Sequence, residues 1–335
     1  MKPRRPPNVL IISRREIVKV MAPGDYLTAV EEAFRAATAG RAHAPPPMHL
    51  PMPGGGFHAK GAILSLGRDY VAVKFNGNFP DNPVALGLPT IQGAIVLADG
   101  SNGVLLAILD SIEVTLRRTA AASALAARLL ARPESQALLV CGCGEQGRAH
   151  VTALREVLPL ERFLMWDRDH DVAEALAVEL AATIGVDAVA VRELGAAARS
   201  ADVIACCTTA REPFIKLESV KPGTFITAVG ADSPDKSEIA PPLMAAATVV
   251  TDLLQQCAAM GDLHHAIAAG AMTEADVHAD LAEVLVGTKA GRRSSEEIII
   301  FDSTGTGLQD VAASAAIYER CSAAGSVTSI FLAEA

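Results

Sequence analysis

Aromatic side chains are scarce: phenylalanine, tyrosine and tryptophan make up 4% of the 335 residues, and there is one tryptophan. That scarcity counts against a pocket built around an aromatic or hormone-like ligand. Positive charge is also in deficit: the formal net charge is -9, and the basic start Met1-Lys-Pro-Arg-Arg5 is too short to reverse it. No attraction to nucleic acid is expected, and the partner is expected to be a small molecule. Long apolar runs are missing. Asn8-Val-Leu-Ile-Ile12 is too brief for a signal-peptide core and far too brief to span a bilayer, so no membrane association and a cytoplasmic location are expected. The six cysteines lack metal-ligand spacing: Cys141 and Cys143 flank one glycine, and Cys206 and Cys207 sit in a buried-strand pattern. Reduced thiols and no metal site are the expectation. Neither an internal repeat nor a low-complexity linker is visible.

What is present is an ordinary globular composition, 50% hydrophobic and 20% charged, in a chain long enough for two cores. Within it, Gln136-Ala-Leu-Leu-Val-Cys141 is an apolar run of strand length that ends in Gly142-x-Gly144-x-x-Gly147 and passes into a helical pattern. In that arrangement backbone N–H groups and a helix N-terminus can hold a pyrophosphate. Gly142 allows the tight turn, Gly144 lets a ligand approach the backbone, and Gly147 brings helix close to strand. Glycine spacing alone is a weak signal, but its context strengthens it. Arg162-Phe-Leu-Met-Trp166 reads as the second strand, and Asp167 follows 20 residues after Gly147, where an acidic side chain binds a ribose 2′-OH. A carboxylate there repels a 2′-phosphate, which favours NAD over NADP. Arg168 could pair with such a phosphate or be a solvated loop charge, so NADP stays open.

Asp25 to Gly40 reads as an amphipathic helix with Asp25 as N-cap and Gly40 as its stop, followed by Ala44-Pro-Pro-Pro47, which cannot continue a helix. Phe57 to Leu66, Tyr70 to Phe75, Thr90 to Asp99 and Val104 to Asp110 are β-patterned, with Gly100-Ser-Asn-Gly103 as a hairpin turn. An alanine-rich helix, Thr115 to Ala131, leads into strands and helices that alternate as a doubly wound sheet requires. The expected strands are Ala137–Cys141, Arg162–Trp166, Asp187–Val191, Val203–Cys207, Thr224–Val229, Thr248–Thr251 and Ile298–Phe301. A last helix runs from about Gly307 to Ala324. The expected division is 1–131, 132–310 and a C-terminal helix in 311–335 that returns to the first domain.

Three places carry chemistry. Lys74, in Tyr70-Val-Ala-Val-Lys-Phe75, interrupts an apolar strand; buried, it would need an anionic partner, and otherwise it sits on a solvated face. Arg117-Arg118-Thr119 falls in the first turns of the expected helix Thr115 to Ala131, where the macrodipole disfavours positive charge. A carboxylate ligand would relieve that; the plainer alternative is an arginine paired with Glu113 one turn back. Asp232 follows the expected fifth strand of the doubly wound sheet, beyond whose carboxyl end ligands bind. It is a candidate general base toward an amine or a water, or else a helix cap near Pro234. Gln146, Thr119 and Thr208 join Gly142, Gly144, Gly147, Asp167 and Arg168 as candidate cofactor contacts.

At these residues the chain resembles the ornithine cyclodeaminase/mu-crystallin family almost end to end. The likeness is carried by Val73-Lys-Phe75, Gly87-Leu-Pro-Thr-Ile91, Leu97-Ala-Asp99 with Gly103, and Thr115-Leu-Arg-Arg-Thr-Ala-Ala121. It continues through the glycine loop, Val229-Gly-Ala-Asp-Ser-Pro-Asp-Lys-Ser-Glu238, Phe301-Asp-Ser-Thr-Gly305 and Gln309-Asp310. The resemblance implies an α/β protein, a Rossmann doubly wound sheet plus an α+β substrate-binding and dimerisation domain. It implies a homodimer joined through the first domain's sheet and NAD(P)-linked chemistry at the nitrogen-bearing carbon of an amino or imino acid. It assigns Lys74 and Arg118 to the substrate carboxylate, Thr90 to the lining of that site and Asp232 to the acid/base role, with Lys74 also catalytic. An aspartate at position 232 favours catalysis over mu-crystallin-like ligand binding, the alternative reading.

Two positions depart from the family pattern. Pro46-Pro-Met-His-Leu-Pro51 lacks the arginine that members commonly carry there, and Phe57-His-Ala-Lys60 places His58 where cyclodeaminases tend to have glutamate. His49 or Lys60 could supply a replacement contact to a carboxylate, or the histidines could be ordinary hydrogen-bonded strand residues. Exchanging an acid for His58 weakens attraction for a side-chain ammonium, so a neutral or acidic substrate side chain is expected at least as readily as ornithine. The expected activity is amino acid dehydrogenase, imine reductase or cyclodeaminase.

Overall fold

The computed structural model describes residues 8–325 and 327–332; the basic start Met1-Lys-Pro-Arg-Arg5 lies outside them. The chain divides into two units, residues 1–118 with 306–335, and residues 119–305. The division falls inside a continuous helix, Ser111–Leu130, and not at its end.

In the first unit an eight-stranded sheet runs in the order Ser329–Ile330, Val9–Ile12, Leu105–Asp110, Ile91–Asp99, Asp69–Asn78, Gly55–Ser65 and Ala42–His43, with Met48–Met52 also paired to Gly55–Ser65. Val9–Ile12 pairs parallel with Leu105–Asp110, and the other pairings are antiparallel. Successive side chains point to opposite faces. Ala62, Leu64, Ala72, Ile95 and Leu97 are buried on one face, whereas Ile63, Val73, Phe75 and Val96 stand exposed on the other. The helix Gly307–Ala324 packs on the buried face. Its start comes so close that a Cβ on Gly307 would lie 2.6 Å from the Gly61 carbonyl oxygen, so only glycine fits there.

Two expectations about helix starts are corrected. The helix expected from Asp25 runs Pro23–Thr38 with Ala22 as N-cap, because proline fills a first-turn position whose N–H needs no partner. Asp25 is the third helical residue, and its carboxylate accepts the Ala22 N–H at 2.7 Å. The alanine-rich helix starts at Ser111, not Thr115; Asp110 accepts the Glu113 N–H at 2.8 Å and so ends the strand and caps the helix at once. Arg117 and Arg118 therefore lie in the second turn, where the dipole argument no longer applies.

The second unit holds an eight-stranded, wholly parallel sheet in the order Asp187–Ala190, Arg162–Trp166, Ala137–Cys141, Val203–Cys206, Phe225–Ala228, Ile299–Asp302, Thr248–Thr251 and Ala279–Asp280. Its central strands are buried on both faces, as their unbroken apolar runs require. The chain builds outward from Ala137–Cys141 in one direction and then returns to build from Val203–Cys206 in the other. The order reverses between these two strands, and a ligand crevice opens at such a point beyond the strand carboxyl ends. No helix among the described residues is long and apolar enough to cross a membrane.

Candidate active site

The glycine loop has the geometry that its spacing predicts. Strand Ala137–Cys141 passes through Gly142, whose φ of +95° only glycine adopts readily, into helix Glu145–Arg155 capped by Gly144. A Cβ on Gly142 would lie 2.7 Å from the Cys207 carbonyl oxygen, and one on Gly147 would lie 2.2 Å from the Gly142 carbonyl oxygen. A Cβ on Gly144 would meet nothing within 4 Å. Two glycines thus close the turn against the protein, and the third faces open space at a helix N-terminus, where an anion is attracted.

That space is a cavity of about 710 Å³, lined by Gly142, Gly144, Asp167, Arg168, Thr208 and Phe214 among others. The Asp167 carboxylate is held in place by the Cys143 N–H at 2.8 Å and the Asp169 N–H at 3.1 Å. Behind the loop, His150 is fully buried between the Gln146 carbonyl at 2.8 Å and the Ser123 hydroxyl at 2.9 Å, which continues to Thr227 at 2.8 Å. Burial draws the His150 pKa down to about 4, so a neutral imidazole braces the first helical turns. Gln146 sits in the first turn of that helix and Thr119 half-buried on Ser111–Leu130; neither lines the cavity.

In the first unit Lys74 and Arg118 converge. Lys74 is 5% exposed and Arg118 4% exposed, and both reach Asp310: Nζ to Oδ2 at 2.8 Å, Nε to Oδ1 at 2.9 Å. Arg118 Nη1 also donates to Gln309 Oε1 at 2.8 Å, and Lys74 Nζ to the Thr115 hydroxyl at 3.2 Å. Burial pulls the Lys74 pKa down to about 7; Asp310 opposes this, while Arg118 and Lys60 add to it. Burial raises Asp310, but Arg118 and Lys74 outweigh it and hold the carboxyl below its usual range. Two cations share one carboxylate, which leaves an excess positive charge suited to a second anion.

Cross-strand register sets the surroundings. Lys60 lies opposite Lys74, and His58 opposite both His49 and Asn76, so all five share one face of the sheet, with Lys74 and Asn76 buried and His49 exposed. The His49 and His58 rings meet edge to face at 5.6 Å. Asn76 is buried and accepts the Ser111 hydroxyl at 2.6 Å. Thr90 lies one residue before strand Ile91–Asp99, five residues along the chain from Ile95, the cross-strand partner of Lys74. Arg117 has the plainer role, paired with Glu113 at 2.8 Å.

Asp232 lies in the loop after strand Phe225–Ala228, its side chain 45% exposed and 2.6 Å from Lys236 Nζ. No helix begins near Pro234, so Asp232 is not a helix cap.

A sequence profile of the ornithine cyclodeaminase/mu-crystallin family matches residues 8–325. The chain belongs to this family. It is 36% identical over 310 residues to an alanine dehydrogenase of Archaeoglobus fulgidus, covering 92% of this chain and 94% of that one. Its fold is similar to that of a dimeric archaeal alanine dehydrogenase with NAD bound, at a TM-score of 0.93, 34% identity and coverage of 98% and 100%. It is also similar to the Δ1-pyrroline-2-carboxylate reductase of Thermococcus litoralis in complex with NADH and L-proline, at a TM-score of 0.92, 29% identity and coverage of 96% and 100%.

Two residues of the family motifs quoted above have structural roles that reading the sequence did not assign. Asp310 is the counter-ion of Lys74 and Arg118. Glu238 is a fully buried carboxyl that accepts three hydrogen bonds from Thr208 and Gly230. Burial and the neighbouring Asp262 push its pKa up to about 8. Both lie within Gln309-Asp310 and Val229–Glu238, so the signal was in plain view without a spacing rule to interpret it.

Proposed function

We propose that this family member is an NAD(H)-dependent oxidoreductase that exchanges hydride at the α-carbon of a small amino acid or its imine, as an amino acid dehydrogenase or imine reductase. The buried Lys74–Asp310–Arg118 cluster carries this reading: its excess positive charge matches a substrate α-carboxylate, and Gly144 leaves room for a dinucleotide. NAD, when bound, supplies the hydride acceptor. Gly142, Gly144 and Gly147 shape its phosphate loop, Asp167 takes its ribose hydroxyl, and Arg168, Thr208, Thr119 and Gln146 are the remaining contacts proposed. Lys74 and Arg118 fix the substrate carboxylate, and Asp232 takes a proton from the amine or from water. His58 and Lys60 beside Lys74 favour a neutral or acidic substrate side chain over an ammonium. The exposed apolar face around Val73 and Phe75 supports a homodimer joined through this sheet, and a cytoplasmic enzyme belongs to the same proposal.

The test follows NADH consumption by absorbance with pyruvate, oxaloacetate or a cyclic imino acid, adding ammonia to the oxo acids, and then assays ornithine for proline formation. Turnover of one of the first group is expected. Asp232→Ala should abolish it while NAD affinity stays within about tenfold, or about 1.4 kcal/mol. NAD binding without turnover of any substrate would instead make the chain a ligand-binding protein.

A further inference from the structure

Glu238 has no part in the chemistry above, yet its carboxyl joins two loops that do. Oε1 accepts the Thr208 N–H at 2.6 Å and the Thr208 hydroxyl at 2.7 Å, and Oε2 accepts the Gly230 N–H at 2.8 Å. Thr208 lines the nucleotide cavity; Gly230 stands two residues before Asp232, whose N–H donates to the Gly230 carbonyl at 3.0 Å. The two loops follow the adjacent parallel strands Val203–Cys206 and Phe225–Ala228. Beyond the Val229 N–H to Cys206 carbonyl bond at 3.0 Å, the Glu238 side chain takes over the role of the ladder.

Glu238 is itself pinned. Its N–H donates to Asp262 at 2.8 Å, and its carbonyl accepts the N–H groups of Phe214 at 3.0 Å and Ile215 at 3.1 Å. The contact between the loops leaves no slack: a Cβ on Gly230 would fall 2.2 Å from the Thr208 carbonyl oxygen and 2.5 Å from Glu238 Oε1.

We propose that Glu238 is a positioning residue that locks the Gly230–Asp232 turn to the Thr208 wall of the nucleotide cavity, so that Asp232 is held at a fixed place relative to the bound cofactor. The assignment rests on reading Asp232 as the acid/base group. A carboxyl suits the task because both of its oxygens can accept and three donors converge on them, bonds that favour the ionised form against the pull of burial. A glutamine of the same size offers one acceptor oxygen and turns an NH₂ toward an N–H.

The experiment compares the full-length wild type, Glu238→Gln, Gly230→Ala and the double variant. In Glu238→Gln, amide hydrogen exchange over 207–211 and over 229–233 should speed up together, by about tenfold or more, because the buried donors lose one shared partner. With NAD affinity and substrate KM within about threefold, kcat should fall about 30-fold, as expected for a displaced catalytic group. Gly230→Ala should show the same kcat loss, and the double variant should be no slower than the slower single one, since both cut one tie. Should Glu238→Gln fail to fold, the kcat loss with unmoved KM in Gly230→Ala decides. A folded Glu238→Gln with wild-type kcat, faster exchange in one segment alone, or multiplying effects in the double variant would overturn the assignment. If the wild type turns over nothing, the functional reading falls and takes this one with it; an active wild type beside an unimpaired Glu238→Gln sinks this one alone.

Discussion

Replacing Asp310 by asparagine keeps the shape of the side chain and removes its charge, which raises the buried Lys74–Asp310–Arg118 group from one net positive charge to two. Depriving buried ions of their partner costs about 3–5 kcal/mol. Lys74 provides a partial escape, because its pKa is already down to about 7 and must fall further without Asp310. Between the variant's lower pKa and 7, the wild type holds a proton that the variant has released, while the unfolded lysine is charged in both. The variant's stability rises with pH over that interval and the wild type's does not. The loss at pH 6 should therefore exceed the loss at pH 9 by up to about 1.4 kcal/mol, for the one pH unit between 6 and 7. The single tryptophan, Trp166, lies in the other unit, so its fluorescence reports on the wrong core. Native-state hydrogen exchange of helix Gly307–Ala324 measures opening of the unit that holds the cluster. An equal loss at both pH values, or one below about 1 kcal/mol at pH 6, would refute the charge argument.

Lys74 should also shape activity. The free enzyme's kcat/KM is expected to fall about tenfold per unit above pH 7 as the ammonium loses its proton, whereas Lys74→Arg, lower in rate, should lack that limb because arginine stays charged. Gly144→Val has room in the protein and should leave its melting temperature within about 2 °C, while calorimetry shows NAD binding at least about tenfold weaker. Gly147→Val is the contrast, since its Cβ meets backbone and both stability and NAD binding should suffer. Val73→Glu places a charge at a position 44% exposed beside Phe75 at 45%. Sedimentation should show the proposed dimer dissociating while the fold persists, and an unchanged mass would remove this face from the proposed interface.

The second unit was legible because its strands are short apolar runs bounded by glycine and acids, and seven of them were placed to within a residue at either end. The strand Ala279–Asp280 escaped notice because two residues carry no pattern. Helix starts were harder. Ser111-Ile-Glu-Val114 continues the apolar rhythm of the strand before it, so the cap at Asp110 is visible only once the Glu113 N–H is seen on its carboxylate. The glycines and Asp167 form the expected loop because each answers a local demand of backbone geometry, whereas Thr90, carried over by motif, lies just outside the strand whose Ile95 faces Lys74.

Asp310 was the harder case, for a physical reason. Its helix is buried without a break from Gly307 to Ala315, so no polar face marks where a charge should point, and an aspartate there reads as an anomaly with no direction. Lys74 and Arg118 each raised the same question, an ammonium or a guanidinium in an apolar context that needs an anion. The answer lies 192 residues beyond Arg118 in the chain. One carboxylate answers two cations only in part. A protein keeps such an imbalance against the cost of burial where something else supplies the missing charge, and among small molecules an amino or imino acid brings it on the carbon next to the bond that changes.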